Sequence, residues 1–376
     1  MKDKITRRTF FKKCAKLTVG FCVFSNFIFK SHAKEINNPL KKEAMFWTKK
    51  NSSTVKCLLC PNSCVLQEND IGRCNSRKNI SGKLYSLNYG LPSIIALDYI
   101  EKSPLYHYQI EGKAFSIATA GCNLGCRFCQ NWKYSQFGPG EVENYELSPK
   151  EVVSRAKKNN VKSINFFYTE PTIYYEYMTD IAMLAKKEKM KTICVTAGYI
   201  NKEPLLELIP YIDAFVIGLK GFDDSFYKNY IGCVSKPITD TIKTLKKNND
   251  KTWLEIVNLI VPGLNDDEAS IRKMAKWIYD EIGADVPFHF TRFEPHYKLD
   301  NLNPTPISTL KKAHTIAKNE GLNYVYLGNI PGITESNTFC PGCGKTVIER
   351  VNFKVIKNDL KSGVCSCGYK IPGHWL

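Results

Sequence analysis

No apolar run in this 376-residue chain is long enough to cross a membrane. The best candidate, CAKLTVGFCVFSNFIF near the start, stops at Lys30, short of the ~20 residues a spanning helix needs. An integral membrane protein is therefore not expected. No solenoid period and no low-complexity tract is present, which excludes a repeat array. Acidic residues are scarce, 36 Asp/Glu against 53 Lys/Arg for a net charge of +17. The excess is not gathered into a nucleic-acid face. Residues 1–33 hold eight Lys/Arg and one Asp, and the remaining +10 is spread as lysines on helix faces. Without a compact basic stripe carrying interleaved aromatics, nucleic acid is not an expected partner. A further lack lies in AGCNLGCRFCQNW, residues 120–132, where Cys122, Cys126 and Cys129 have no fourth cysteine beside them. A closed zinc site takes four protein ligands and disulfides take an even number. Three thiols imply a metal centre left incomplete.

What is present is a globular composition, 43% hydrophobic and 12% aromatic, with 15 cysteines. A chain this long can bury a large core, as one α/β barrel with appendages or as two or three small domains. Eleven of the cysteines fall into three groups: Cys57, Cys60, Cys64 and Cys74; the central three; and Cys340, Cys343, Cys365 and Cys367. Grouped spacing of this kind reads as metal ligation more readily than as a disulfide framework. Cys14, Cys22, Cys194 and Cys233 stand alone, and Cys194, inside an apolar strand, reads as a buried thiol.

The first 33 residues carry TRRTFFKK, the apolar stretch and SHA, the pattern of a twin-arginine export signal, the other reading being an ordinary basic helix. Residues 34–56 are polar and Lys/Asn-rich and read as a linker. Residues 57–113 form an N-terminal Cys-rich segment, 114–335 a barrel, and 336–376 a C-terminal zinc-ribbon or rubredoxin-like module.

From residue 114 onward, β-branched and aromatic runs alternate with helical stretches. The predicted strands are 114–120, 163–169, 192–197, 214–220, 253–261, 287–293 and 324–329. SPKEVVSRAKKN, capped by Ser148, and DDEASIRKMAKWIYDEIG are two of the helices between them. Alternation of β and α implies a parallel sheet with right-handed crossovers. Six to seven repeats favour an α/β fold of partial (β/α)6 TIM-barrel type over a flavodoxin-like sheet. Polar clusters follow the strands at GCNLGC, TEPT, AGY, LKG, PGLND and EPH, where such folds place their chemistry. Tyr174, Tyr175 and Tyr177 follow TEPT at helical spacing and read as core.

A four-iron cluster needs four external ligands, and a C-x3-C-x2-C loop supplies three, leaving one iron open. This spacing, with Phe128 before the last cysteine and a strand before the loop, resembles the radical S-adenosylmethionine superfamily. The wider set CQNW, TEPTIYYEY, VTAGYI, PFHFTRFEPHYKL, YVYLGNIPG and CPGCGKTVIERVNF resembles the AmmeMemoRadiSam-system radical enzymes, relatives of pyruvate formate-lyase activating enzymes, from about Cys57 to the C-terminus. The resemblance implies a [4Fe-4S] cluster on Cys122, Cys126 and Cys129 whose open iron holds S-adenosylmethionine. It also implies cofactor contacts from Glu170, Thr196, Lys220 and His289, the last near the ribose. Relatives read TNG at Thr196-Ala197-Gly198 and aspartate-leucine-lysine at Gly218-Leu219-Lys220, so an amide and a carboxylate are missing here.

Cys57, Cys60, Cys64 and Cys74 offer either a structural zinc site, a second iron-sulfur cluster or uncommitted thiols. The two pairs at Cys340/Cys343 and Cys365/Cys367 resemble zinc-ribbon knuckles holding zinc or iron, with a single residue, Ser366, in the second gap where relatives have two. His374 is a packing residue or a substitute ligand. The expected function is radical cleavage of S-adenosylmethionine for hydrogen abstraction, with a small-molecule or protein substrate and a low-potential electron donor as partners. The alternatives are an activating enzyme for a glycyl-radical protein, or an exported iron-sulfur or zinc protein with an electron-transfer or structural role.

Overall fold

A computed structural model describes residues 41–108 and 112–375. The twin-arginine pattern lies outside the described residues. The centre is an eight-stranded sheet in sequential order: β1 (Pro92–Tyr99), β2 (Lys113–Thr119), β3 (Ser163–Phe166), β4 (Lys191–Thr196), β5 (Ala214–Gly218), β6 (Trp253–Ile260), β7 (Phe288–Arg292) and β8 (Val325–Gly328). β2 to β8 are parallel, and β1 runs antiparallel along β2. All seven runs named from the sequence are strands.

The crossovers carry α1 (Pro149–Lys158), α2 (Tyr175–Lys187), α3 (Lys202–Leu208), α4 (Lys236–Lys247), α5 (Glu268–Glu281) and α6 (Ile307–Asn319). Each start has a local cause. Ser148 and Glu151 form a reciprocal capping box with Pro149 in the first turn, and the Asp267 side chain accepts from Ser270 N–H. The apolar stripes of the helices, including Val152, Ile181, Leu205, Ile242, Ile271 and Leu310, share one core with the outward residues Cys194 and Phe215. Ile193, Val195, Ala214 and Val216 alternate to the other face and form a separate cluster with Leu105 and Val257. Helices confined to one face of a twisted parallel sheet curl it. The result is the partial (β/α)6 barrel, open between β8 and β1.

Two sequence readings are corrected. Residues 41–56 are not all linker: Lys42–Glu43 pairs with Lys83–Ser86, and Trp47–Lys49 pairs with Val55–Cys57. Polar side chains hid these strands because they are short and hold through backbone pairing, with Met45 N–H on Glu176 and Phe46 edge-on to Tyr175. The central sheet also begins at Pro92 rather than residue 114. β1 is an edge strand with a half-exposed middle, so its sequence lacks the apolar run that marks a central strand.

β1 brings the chain to the N-terminal end of the sheet, where residues 100–108 close the floor of the barrel. Glu255, an inward residue of β6, fastens them. Its buried carboxylate accepts from Tyr106 N–H at 2.9 and 3.0 Å, His107 N–H at 2.7 Å, Trp253 Nε1 at 3.1 Å and His289 Nε2 at 2.7 Å. The C-terminal strands dock below, with Arg350 stacked 4.1 Å from the Tyr106 ring.

Candidate functional site

The turn after β2 carries the three central cysteines. Gly121 opens it with φ +99°, and a Cβ there would lie 2.3 Å from Ser76 Oγ and 2.4 Å from the Cys74 carbonyl. Only glycine tolerates both the dihedral and the approach. The loop is then tied from outside: Gly125 N–H donates to the Ile231 carbonyl and Arg127 N–H to Tyr230, both at 2.8 Å. Phe128 is buried against Phe226, which anchors the last turn before Cys129. Leu124 N–H points at Cys122 Sγ at 3.4 Å, and Ser135 Oγ lies 3.2 Å from Cys129 Sγ.

Burial, then the neighbouring charges of Glu170 and Cys126, pushes the Cys122 thiol up. Burial likewise raises Cys126 to about 11, with Lys220 opposing. Burial thus opposes ionisation of Cys122 and Cys126, which a metal overcomes by displacing their protons. Lys220 balances them. Burial works to lower its pKa, but Cys126, Cys129, Cys122 and Glu170 together raise it. Its ammonium thus lies within electrostatic reach of the three sulfurs and of Glu170.

Glu170 joins the ends of β3 and β4. Its carboxylate accepts from Thr172 N–H at 3.1 Å, Ala197 N–H at 2.9 Å and the Thr196 hydroxyl. Thr196 in turn receives Gly198 N–H at 3.0 Å. Before it, Tyr168 takes φ +72°, its carbonyl held by Asn131 Nδ2 at 2.7 Å, so a backbone edge is fixed at the mouth. Glu170, Thr196 and Lys220 are thus gathered around the cysteine loop. His289 is not placed with them. It is buried in the floor with Nε2 donating to Glu255, its ring packed on Tyr106 and Tyr326. Its inward position on β7 is occupied by a structural network instead of a ribose contact.

The outer sets are also assembled. Cys57, Cys60, Cys64 and Cys74 line one cavity behind the central loop. Cys340, Cys343, Cys365 and Cys367 have their sulfurs within 4.8 Å of one another, with Cys340 and Cys367 at 3.6 Å and Cys343 and Cys365 at 3.7 Å. The one-residue gap at Ser366 does not keep the sulfurs apart, because Gly368, at φ +91°, donates back to the Cys365 carbonyl. His374 packs against Tyr108 and Trp253 and is no ligand. Cys194 is buried beside Met178. Tyr174, Tyr175 and Tyr177 are core residues whose hydroxyls donate to backbone carbonyls.

Sequence reasoning missed Asn131, Asn123, Arg77 and Glu255. Only Glu255 left a signal, as the single acid within the apolar run WLEIVNLIV.

A site with three gathered thiols, one of them buried, a nearby ammonium and a fixed backbone edge suits a cluster that presents one iron to a zwitterionic ligand. Comparisons with known proteins agree. The Radical SAM superfamily profile matches residues 116–278. An uncharacterised protein of Methanocaldococcus jannaschii is 43% identical over 333 residues, covering 88% of this chain and 98% of that protein. Pyruvate formate-lyase-activating enzyme of Clostridium pasteurianum is 26% identical over 192 residues, 48% of this chain and 77% of that enzyme. Among solved structures, a domain of pyruvate-formate lyase-activating enzyme from Bacteroides vulgatus aligns with a TM-score of 0.39 at 17% identity, covering 44% of this chain and 98% of that domain. The chain is an enzyme that belongs to the radical SAM superfamily.

Proposed function

We propose that the enzyme reductively cleaves S-adenosylmethionine and uses the product to abstract hydrogen from its substrate. The observation that carries this reading is the convergence of Lys220 and the Glu170–Thr196 pair on Cys122, Cys126 and Cys129. When bound, a [4Fe-4S] cluster on those cysteines supplies one electron to the sulfonium, giving methionine and a 5′-deoxyadenosyl radical. The chain's own residues do the rest. The Tyr168 carbonyl edge and Glu170 favour an ammonium at the mouth, and Lys220 offsets the anionic charge of the thiolates. The plugged floor keeps water from entering behind the site.

Anaerobic reconstitution with iron and sulfide, reduction by dithionite and addition of S-adenosylmethionine test this. 5′-Deoxyadenosine is expected from wild type and not from Cys129→Ala. Equal traces from both sink the proposal. A glycyl-radical protein as substrate is the second reading, favoured by relatives named as activating enzymes. A glycyl signal in electron paramagnetic resonance after mixing with such a protein supports it.

For the C-terminal set we infer a structural zinc ion, since four sulfurs at tetrahedral spacing leave no open position. Export through the twin-arginine pattern is likewise a proposal. Cell fractionation tests it, and a full-length cytoplasmic product contradicts it.

A further inference from the structure

Cleavage of S-adenosylmethionine makes no use of Cys57, Cys60, Cys64 and Cys74, yet the fold collects them. All four line one cavity together with Arg77, Asn123, Thr172 and Ile173. The C-terminal set provides an internal standard for a single ion. A tetrahedron with metal–sulfur bonds of about 2.3 Å has sulfurs about 3.8 Å apart, and the C-terminal pairs stand at 3.6 and 3.7 Å. The C-terminal four thus have the closeness of a single-ion site.

The surroundings suit an anionic occupant. Asn62 and Asn123 line the cavity with Cys60, and Ser76 Oγ donates to the Cys74 carbonyl at 3.0 Å. Arg77, 1% exposed, has Nη1 3.9 Å from Cys57 Sγ. Its ion pair with Glu176 and its bond to the Met45 carbonyl leave Nε without a partner among the described residues. A buried donor without a partner is unfavourable unless the cavity supplies an acceptor.

The two inner sets also share a wall. Asn123 follows Cys122 directly and lines the cavity, its carbonyl accepting from Asn62 Nδ2 and its own Nδ2 donating to the Tyr199 carbonyl, both at 2.8 Å. Gly121 lies against the Cys74 carbonyl and Ser76. Asn123 therefore belongs both to the central loop and to the wall of the cavity.

We propose that Cys57, Cys60, Cys64 and Cys74 bind a second iron-sulfur cluster, which passes single electrons through Asn123 to the cluster on Cys122, Cys126 and Cys129. Four protein ligands close it to S-adenosylmethionine. The electron balance is simple: a ferredoxin-class donor is oxidised by one electron, the closed cluster is reduced and reoxidised, and the open cluster gains that electron. No bond forms or breaks on the way. The relay rests on the function proposed above; the presence of the cluster does not.

The test uses the full chain. A Cys122→Ala/Cys126→Ala/Cys129→Ala variant, reconstituted anaerobically, is expected to retain about four irons and four sulfides, with a reduced-state resonance signal indifferent to S-adenosylmethionine. Loss of all iron and sulfide, or two zinc ions per wild-type chain in place of one, overturns the cluster. A Cys60→Ser/Cys64→Ser variant that keeps its C-terminal zinc, and so is folded, is expected to lose fast reduction of the open cluster by reduced ferredoxin. An unchanged rate overturns the relay. Two clusters with no 5′-deoxyadenosine would refute the proposed function and leave the second cluster standing.

Discussion

His289→Leu separates two roles for one residue. In the structure Nε2 donates to Glu255 Oε2 at 2.7 Å, and the ring lies 4.7 Å from Tyr106 and 5.1 Å from Tyr326. Removing the imidazole leaves Oε2 with only Tyr106 N–H at 3.0 Å, while Oε1 keeps three donors. A hydrogen bond to a buried charge contributes ~1.5–3 kcal/mol, and each ring contact about 0.5–1.5 kcal/mol. Leucine refills part of the space, so the loss is about 3 kcal/mol. With a urea slope of about 3 kcal/mol/M the midpoint falls by about 1 M. Fluorescence of Trp253 and Trp375, both beside this floor, reports the transition. The apparent KM for S-adenosylmethionine is expected to stay within about twofold at low urea, because binding contacts are untouched. A midpoint unchanged within about 0.3 M together with a KM raised about tenfold would refute the structural role and restore a cofactor contact.

Lys220→Met keeps the aliphatic stem and removes the charge that faces the central thiols. At about 5 Å and an effective dielectric of about 20, that charge contributes about 3 kcal/mol. The cluster is expected to assemble while its midpoint potential falls by on the order of 100 mV, read by a redox titration of the reduced signal; no change would show that the ammonium points elsewhere. If the C-terminal set holds the proposed zinc, Cys367→Ser is expected to remove it and expose Trp375, visible as a red-shifted emission, and retained zinc would exclude Cys367 as a ligand. The floor also carries a pH dependence. Burial holds His107 at about 4, below its ordinary 6.5, with Nδ1 donating to the Pro372 carbonyl and Nε2 accepting from Tyr326. Between those values the unfolded chain binds a proton that the folded chain does not. The contribution of about 3 kcal/mol is therefore complete above about pH 6.5 and lost as pH falls toward 4. Urea midpoints at pH 7 and 5 should diverge more for wild type than for His107→Gln, and equal divergence would sink the assignment.

The parallel sheet was legible because buried parallel strands are written as short β-branched runs, and SINF, TICVT and AFVIG leave no other reading. The cluster loop was legible for a different reason: three thiols at fixed spacing restrict the chemistry before any fold is known. The floor was not. Glu255 acts through backbone N–H groups of Tyr106 and His107, about 150 residues earlier in the chain, and such long-range pairing leaves no periodicity. His289 shows the limit of resemblance, since an inward position on β7 can face the cofactor or the floor. Sulfur spacing, as in the C-terminal set, is a property of folded turns and cannot be counted in residues. The gap at Ser366 holds one residue where the resemblance implies two, yet two left-handed glycines, Gly344 and Gly368, close both turns.

Gly218 bears on how the central site holds its charge. The family resemblance implies an aspartate at this position, and a Cβ built on Gly218 would lie 3.5 Å from Lys220 Nζ and 3.6 Å from the Thr196 carbonyl, ordinary contact distances. A carboxylate there would pair with Lys220 and neutralise the cation that otherwise faces the sulfurs. Ala197 differs in kind, because its contact to Glu170 is made by the backbone N–H and survives any side chain. The absence of the aspartate thus shifts the balance of charge at the cluster, while the absence of the asparagine leaves the Glu170 strut intact. Gly218→Asp is therefore expected to fold, to lower the cluster potential toward that of Lys220→Met, and to add nothing further when combined with Lys220→Met. Non-additivity of this kind is the mark of two groups sharing one interaction. If Gly218→Asp leaves the potential unchanged, or lowers it equally in the Lys220→Met background, the carboxylate acts independently of Lys220, and the charge argument for this site fails.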